Sequence, residues 1–408
     1  MIVNKNGNAF EFLIIGGGMV GLSLAYQLIK RNIGKRIIII EKEEQLGKHS
    51  SGRNSGVLHA GLYYEPNSLK AKVCVEGSKR LKHWILDRGI RLNQCGKIIV
   101  STNPELESQL ELLFDRGRQN GAVVDFISKK ELHQKIPEIN PSFNRALWSP
   151  NTAVVKPIEV INQLKLELIE LGVIFRTSID DWEIQDQNSL EIGDEIIKFE
   201  HLISCAGLQA DKVAQKFCIG NEYQILPFKG LYWKIKTSSN FKIKTNLYPV
   251  PDLNVPFLGV HFTPSADIQP TITIGPTATF AFGRENYKGY QGIEPALAFR
   301  NLMTLGSQYF LNKGGFRRYV HEQAFLSFEP FLLKEAKKLI PSISAKDIEI
   351  SEKVGIRAQL FNKKARKLEN DFLCLKGPQS THVLNAISPA FTASFELADL
   401  IIDQYLNH

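Results

Sequence analysis

The sequence predicts an α/β protein in which a Rossmann-like dinucleotide-binding domain is interleaved with a mainly antiparallel α+β substrate domain. Three observations carry this. A strand, a glycine-rich turn, a helix and a second strand fill the first 40 residues. A further buried strand ending in glycine, Ile203-Ser204-Cys205-Ala206-Gly207, recurs near mid-chain. The stretch Pro227 to Ala281 is rich in aromatic and β-branched residues broken by Pro and Gly, as antiparallel strands and turns are. There is no internal repeat, low-complexity tract or Gly/Ser linker, so the second domain is expected to be woven in by insertion. The expected division is 1–95, 155–220 and 345–408 for the nucleotide-binding part and 96–154 plus 221–344 for the substrate part.

Phe12 to Ile15 reads as a strand, Val20 to Arg31 as a helix with Val20, Leu24 and Leu28 on its apolar side, and Arg36 to Ile40 as a strand buried on both faces. A helix follows Ser68, with Leu69, Val73, Leu81 and Trp84 inward. Lys97 to Val100 is a short strand, and Glu105 to Arg118 an acidic helix. Pro157 opens a helix with Ile158, Ile161, Leu164 and Leu168 spaced for one face, and Gly172 ends it before a strand at Val173 to Arg176. His201 to Ser204 is a buried strand. Helices are expected around Ala296 to Leu311 and Glu322 to Leu339, then a strand at Asp371 to Leu375 and a last helix from about Pro389.

A net charge of +8 favours anionic partners, whether carboxylate substrates, phosphorylated cofactors or acidic membranes. No zinc-finger spacing, RNA-recognition signature or recognition-helix pattern supports nucleic acid. The five cysteines, Cys74, Cys95, Cys205, Cys218 and Cys374, show no C-x-x-C or zinc-ligand spacing, so neither a disulfide framework nor a metal site is expected, and reduced cytoplasmic thiols are the simplest reading. The residues before the first strand are too few and too polar for a signal or transit peptide. No apolar run reaches the roughly 18 to 20 residues of a spanning helix, so the chain is expected to be soluble or at most attached to a membrane surface.

Gly16, Gly18 and Gly21 form G-x-G-x-x-G between strand and helix, the context this motif requires. Gly16 permits the tight turn, Gly18 lets backbone approach a pyrophosphate, and Gly21 lets helix and strand pack closely. Met19 and Val20 begin the helix, whose N-terminal amides and dipole favour phosphate. Glu41, 20 residues after Gly21, ends the second strand where a carboxylate can accept from both adenosine ribose hydroxyls. Lys42 beside it and Ile179 after the Val173 to Arg176 strand are further candidate contacts. The motif alone does not separate NAD from FAD. Ala206-Gly207 and a third stretch, Gly355-Ile356-Arg357, favour FAD. The three segments together resemble the D-amino-acid oxidase superfamily, in which one extended FAD touches all three.

Within that superfamily, Ser51-Gly52-Arg53-Asn54-Ser55-Gly56-Val57-Leu58-His59-Ala60-Gly61-Leu62-Tyr63-Tyr64, continuing through Pro66 and Ser68 to Ala71, resembles the signature of L-2-hydroxyglutarate dehydrogenases. So do Asn246 to Pro251, Pro256 to Thr263, Pro227 to Gly230, Gly355 to Gln359 and Asn385 to Ala390. Lys156 departs from the acidic residue usual there. The resemblance implies FAD-dependent oxidation of L-2-hydroxyglutarate to 2-oxoglutarate by hydride transfer to flavin N5, the electrons passing to a quinone-type acceptor or oxygen. It also implies cofactor contacts at Ser51, Arg53, Asn54, Ser55, Ser388, Pro389 and Ala390.

Such chemistry needs a base for the hydroxyl proton and cations for two carboxylates. Histidine suits the base, being largely neutral at pH 7 yet able to take a proton. His59 and His261, inside the two longest matching blocks, are the candidates, and the sequence does not rank them. Arg53, Lys229, Arg284 and Arg357 are the candidate carboxylate clamps. Tyr63, Tyr64 and Tyr248 are candidate phenol donors, though aromatics beside Gly and Pro are often core. The rival is an amine or amino-acid oxidase of the glycine or sarcosine oxidase type, which needs the same clamp. Finally, Phe299, Leu302, Met303, Tyr309, Phe310 and Leu311 beside Arg300, Lys313, Arg317 and Arg318 suit either a helix lying on an anionic bilayer or a core-facing helix with a basic edge.

Overall fold

The computed structural model describes residues 9–251, 258–312, 317, 320, 321, 323 and 325–406. The opening strand, Phe10–Ile15, lies between Ile37–Ile40 and Glu195–Ser204, parallel to both. Ile174–Arg176 extends the sheet in parallel beyond Ile37–Ile40, and Ser380–Asn385 runs parallel to the other side of Glu195–Ser204. A hairpin, Glu183–Asp186 and Ser189–Ile192, and the strand Leu373–Gly377 complete an eight-stranded sheet. The four isoleucines of Ile37–Ile40 are all buried because both faces are covered. Ile37 and Ile39 pack with helices Met19–Lys30, Leu69–Asp87, Pro157–Glu170 and Ser394–Ile401. Ile38 and Ile40 pack with Trp182, Leu190 and Val213 on the opposite face. Such continuous apolar runs mark strands buried on both sides.

The second sheet has ten strands. Tyr223–Ile235 pairs antiparallel with Ile348–Asn362, and Ile272–Gly275, His261–Pro264, Asn246–Pro249, Lys97–Val100, Arg145–Ser149 and Asp125–Ser128 follow in order across it. Ile348–Asn362 falls in the span 345–408 expected on the nucleotide side, yet its hydrogen bonds join it to this sheet. Ile98, Leu247, Phe262 and Ile274 are cross-strand neighbours and point into one core with Trp233. By the two-residue period of a strand, Lys97, Tyr248 and His261 point the other way, toward the first sheet's glycine loop. This places three polar or titratable side chains in one row on one face.

Most expected elements occur with small shifts at their ends. Lys97–Val100 has the expected limits, and Pro295–Leu311 begins one residue early at a proline. The helix expected over Glu322 to Leu339 is Glu329–Leu339, with Pro330 in its first turn, where proline's fixed φ suits a helix start. Glu322 lies outside the described residues. The last helix begins at Ser394, not Pro389, after a turn that bonds Ala393 N–H back to the Pro389 carbonyl. Ile158 is 41% exposed. It sits in the first turn, off the inward row formed by Val160, Ile161, Leu164 and Leu168. The strand Ser380–Asn385 was not expected, because its polar opening Ser-Thr-His conceals a strand buried at all six positions.

Candidate active site

The glycine loop brings three segments of chain within backbone contact. Gly16 has φ +110°, and a Cβ there would stand 2.5 Å from the Cys205 carbonyl oxygen, so the two glycine-ended strands meet only because no side chain intervenes. A Cβ on Gly21 would lie 2.2 Å from the Gly16 carbonyl oxygen. Gly18 precedes helix Met19–Lys30 and faces a cavity of about 330 Å³, with Met19 N–H donating to Ser51 Oγ at 3.0 Å. A cavity reached by a helix N-terminus, with no side chain at Gly18 to fill its mouth, fits the pyrophosphate of a dinucleotide.

The cavity runs from Gly18, Met19 and Val20 past Ser51, Arg53, Asn54 and Ser55 to Gly207, Gly355, Arg357 and the turn Ser388, Pro389 and Ala390. At its far end stand His59, Tyr248 and His261. These residues come from both sheets, and they include most of the positions read from the sequence. Ser50, Phe228, Gly230, Tyr232, Thr277 and Thr392 also line it and were not singled out. Thr392 is fixed by its hydroxyl, which accepts from His59 N–H at 3.1 Å. Phe228 and Gly230 lie inside the matching Pro227 to Gly230 block and Tyr232 two residues beyond it, so these three carried a sequence signal.

Other expected residues lie behind the wall. Gly16, Gly21 and Ala206 shape the loop from beneath. Glu41 accepts from Gly17 N–H at 2.8 Å and Glu43 N–H at 3.0 Å, and Ile179 N–H bonds the Glu41 carbonyl at 3.0 Å. Lys42 pairs with Glu43 and, at 2.7 Å, with Glu285. Tyr63 and Tyr64 are half-buried residues that do not line the cavity, and desolvation holds both phenols well above their ordinary pKa. Lys229 is turned away, donating to Asn286 Oδ1 at 2.9 Å. Lys156 forms exposed ion pairs with Asp267 at 2.6 Å and Glu159 at 3.5 Å, away from the cavity.

Arg284 corrects the sequence reading. Its guanidinium is fully buried and grips Asp211 with two bonds of 2.6 and 2.9 Å, with a third bond to the Leu208 carbonyl, and it does not reach the cavity. Asp211 Oδ2 in turn accepts from Ile225 N–H at 2.8 Å, which ties helix Ala210–Lys216 to strand Tyr223–Ile235. Removing one member of a buried pair strands the other charge. Arg284→Met should therefore lower unfolding stability by about 3–5 kcal/mol in urea titrations. The folded fraction should keep its rate of flavin reduction, and a specific loss of that rate at full stability would return Arg284 to the site.

The cavity wall is electropositive. Arg53 and Arg357 line the cavity, and no Asp or Glu does among the described residues. Arg53 is held by the Lys48 carbonyl at 2.8 Å and lies 4.2 Å over the Tyr287 ring. Arg357 donates through Nε to Gln359 Oε1 at 3.1 Å, which sets the plane of its guanidinium. Burial holds the Lys97 and Lys70 ammonium groups down to about 7. His261 is pushed down to about 3, first by burial and then by Lys97. His59 is also held well below its usual range, by burial, Lys97, His261 and Lys70 in that order. Both imidazoles are therefore neutral at pH 7.

The hydrogen bonds separate the two histidines. His261 Nδ1 lies 2.7 Å from the Gly259 carbonyl, which can only accept, so Nδ1 carries the proton and Nε2 keeps the lone pair. Its ring stacks on Tyr248 with centroids 3.8 Å apart. His59 Nε2 instead lies 3.2 Å from Ser388 Oγ, and its Nδ1 is buried without a partner among the described residues. The His261 ring is thus fixed in tautomer and plane.

Comparison with known proteins agrees with the architecture. Residues 11–404 match the family of FAD dependent oxidoreductases. The chain is 35% identical to the mitochondrial L-2-hydroxyglutarate dehydrogenase of Caenorhabditis elegans, over 98% of this chain and 93% of that protein. It is 33% identical to the human mitochondrial protein of that name over 97% and 89% of the two chains, and 34% identical to the L-2-hydroxyglutarate dehydrogenase of Indibacter alkaliphilus over 97% and 98%. Its fold is shared with the FAD-bound L-alpha-glycerophosphate oxidase of Mycoplasma pneumoniae, at TM-score 0.75, 20% identity and coverage of 98% and 96%. The glycine oxidase of Geobacillus kaustophilus shares it at TM-score 0.71, 16% identity and coverage of 97% and 94%. With the glycine loop, its cavity and these relatives together, the chain belongs to the L-2-hydroxyglutarate dehydrogenase family of FAD-dependent oxidoreductases.

Proposed function

We propose that this enzyme oxidises L-2-hydroxyglutarate to 2-oxoglutarate and passes the electrons to a quinone-type acceptor or to oxygen. The observation that carries this reading is a single chamber, free of acidic side chains among the described residues, that joins the glycine loop to Arg357 and two neutral histidines. Bound FAD would supply the two-electron acceptor for this oxidation. Gly18, the Met19–Lys30 helix N-terminus and Ser51 would hold its pyrophosphate, with Glu41 at the ribose. His261 Nε2 takes the hydroxyl proton, and Gly259 and the Tyr248 ring hold the imidazole as it becomes charged. Arg357, oriented by Gln359, holds one carboxylate of the substrate. Phe228, Tyr232 and Leu258 add apolar surface to the chamber lining. The same reading takes residues 1–95, 155–220 and 345–408 as the cofactor side and the remainder as the substrate side, except that Ile348–Asn362 belongs by its pairing to the substrate sheet.

Anaerobic addition of L-2-hydroxyglutarate to the flavin-loaded enzyme should bleach its visible absorbance. Glycine, sarcosine and glycerol 3-phosphate should not. Bleaching by glycine or sarcosine alone would favour the amine oxidase reading instead.

No helix among the described residues is long and apolar enough to cross a membrane. Helix Pro295–Leu311 nevertheless turns an apolar face outward, with Phe299 69%, Met303 63% and Phe310 79% exposed. With Leu302 these residues follow helical spacing and sit beside exposed Arg300 and Arg317, a pattern that suits shallow insertion at an anionic surface. Lys313 and Arg318 lie outside the described residues. The reading is a peripheral enzyme delivering electrons at the cytoplasmic face of a membrane. Flotation should show salt-sensitive binding to anionic liposomes, weakened at least about 10-fold by Phe299→Ser with Phe310→Ser. Flavin reduction should be unchanged, and equal absence of binding to anionic and neutral liposomes at low salt would leave a soluble acceptor or oxygen.

A further inference from the structure

Lys97 is 1% exposed, and among the described residues its ammonium has neither a hydrogen bond nor an acidic partner. It lies instead against two ring faces, 4.2 Å from the centroid of Tyr248 and 5.1 Å from that of Tyr63. Aromatic faces steady a cation without neutralising it, so the charge is held in place and left uncompensated. Buried charges are ordinarily paired, and one left unpaired in a resting protein marks a place where a ligand can supply the partner.

Its position fits that role. Lys97 shares a sheet face with Tyr248 and His261, and the Tyr248 ring against which its ammonium lies is itself part of the chamber lining. The substrate proposed above carries two carboxylates and needs two cations. Arg357, oriented by Gln359 on the chamber wall, is assigned one carboxylate, and the other arginine on the wall, Arg53, is engaged by the Lys48 and Val354 carbonyls and the Tyr287 ring. Across a buried ring an elementary charge is screened far less than in water. We propose that Lys97 supplies the countercharge for the second carboxylate and so makes this site select a dicarboxylate over a monocarboxylate of the same length. This inference rests on the dicarboxylate reading of the site.

The charge is also conditional on pH. The titratable groups facing Lys97 are Cys74 on the long helix, Cys95, Tyr63, Tyr248, His59 and His261. Burial pushes the thiols up to about 12 and 11 and both phenols upward, while the histidines are pushed down. Lys97 changes charge near 7, as does Lys70, which shares Cys74 and His59 as neighbours, and loss of the pH dependence in Lys97→Met assigns it to Lys97. Below that pH the amine is already charged and the preference for a dicarboxylate is complete. Above it, binding must first take up a proton, so the preference falls by up to about tenfold per pH unit.

The test uses the flavin-loaded enzyme and two non-oxidisable probes, 2-oxoglutarate and 2-oxopentanoate, with Kd read from the perturbed flavin spectrum. Lys97→Met should raise the Kd of 2-oxoglutarate by about 10- to 100-fold, the range for losing a charged interaction. The Kd of 2-oxopentanoate should stay within about threefold, as expected when no charge partner is lost. Lys97→Arg should restore most of the preference, and Lys97→Met should abolish its pH dependence. An undiminished preference in folded, flavin-replete Lys97→Met overturns the proposal. If Lys97→Met does not fold, the wild-type pH series decides, because a preference that does not decline above about pH 7 overturns the proposal equally. A Lys97-dependent preference in an enzyme that L-2-hydroxyglutarate does not bleach would sink the substrate reading and leave the countercharge standing. Bleaching with a Lys97-independent preference would sink the countercharge alone.

Discussion

Gly18→Val is expected to yield a protein that folds but purifies without flavin. A Cβ on Gly18 would meet only the Ser51 hydroxyl, at 2.9 Å, the movable tip of a small side chain, so the polypeptide can accept the change. The two added methyl groups then occupy the cavity mouth where the helix N-terminus should meet the pyrophosphate. FAD affinity should fall at least about 100-fold, equivalent to ~3 kcal/mol, with far-ultraviolet dichroism unchanged. Gly21→Val is the contrast. Its Cβ would be driven against the Gly16 carbonyl, which is backbone and cannot swing aside, so that variant should fail to fold and not merely lose its cofactor. Purification of Gly18→Val with a full complement of FAD would remove the loop from the cofactor site.

His261→Asn is expected to lower the rate of flavin reduction by L-2-hydroxyglutarate by about 10²- to 10⁴-fold, the usual cost of losing a general base. Asparagine keeps a donor for the Gly259 carbonyl and much of the contact with Tyr248, so flavin content and melting temperature should change little. His59→Ala should cost less, because its Nε2 is already engaged by Ser388. The pH profile gives a second check with a definite sign. A base works in its unprotonated form, and burial holds His261 down to about 3, so its active form is present at every pH above that value. Rapid-mixing rates should thus show no loss from pH 8 down to about pH 5, whereas an unperturbed histidine would impose an acid limb near 6.5. If His261→Asn reduces flavin at nearly the wild-type rate while His59→Ala does not, the two histidines exchange roles.

The parts of this protein that were legible in its sequence are those in which neighbours in the chain are also neighbours in space. The glycine loop is such a case: Phe12 to Gly21 contains its strand, turn and helix start, and local steric rules suffice to read it. The buried run Ile37–Ile40 and the inward row of Pro157–Glu170 were legible for the same reason, since periodicity reports burial directly. The expected start at Pro389 failed because proline marks a turn as readily as a helix. Ser380–Asn385 was hidden because polar residues line a strand interior when each finds a partner there, as His382 does with Ser380 Oγ at 3.0 Å.

The sequence by itself determined the α/β class, the dinucleotide loop and the blocks that carry the family resemblance. Only the tertiary structure decided what each charged or titratable side chain faces. Arg284 and Arg357 look alike as candidate clamps, and the fold buries one against Asp211 while it sets the other on the chamber wall. His59 and His261 are separated by one carbonyl, that of Gly259, which fixes a proton on one ring and frees its other nitrogen. Lys97, the first residue of an ordinary apolar strand, gives no local sign that it is buried. Its charge becomes consequential because Tyr63 and Tyr248, 34 and 151 residues away in the chain, close over it. A pKa and a hydrogen-bond partner depend on distance and solvent exclusion in three dimensions, and neither quantity is encoded by spacing along the chain.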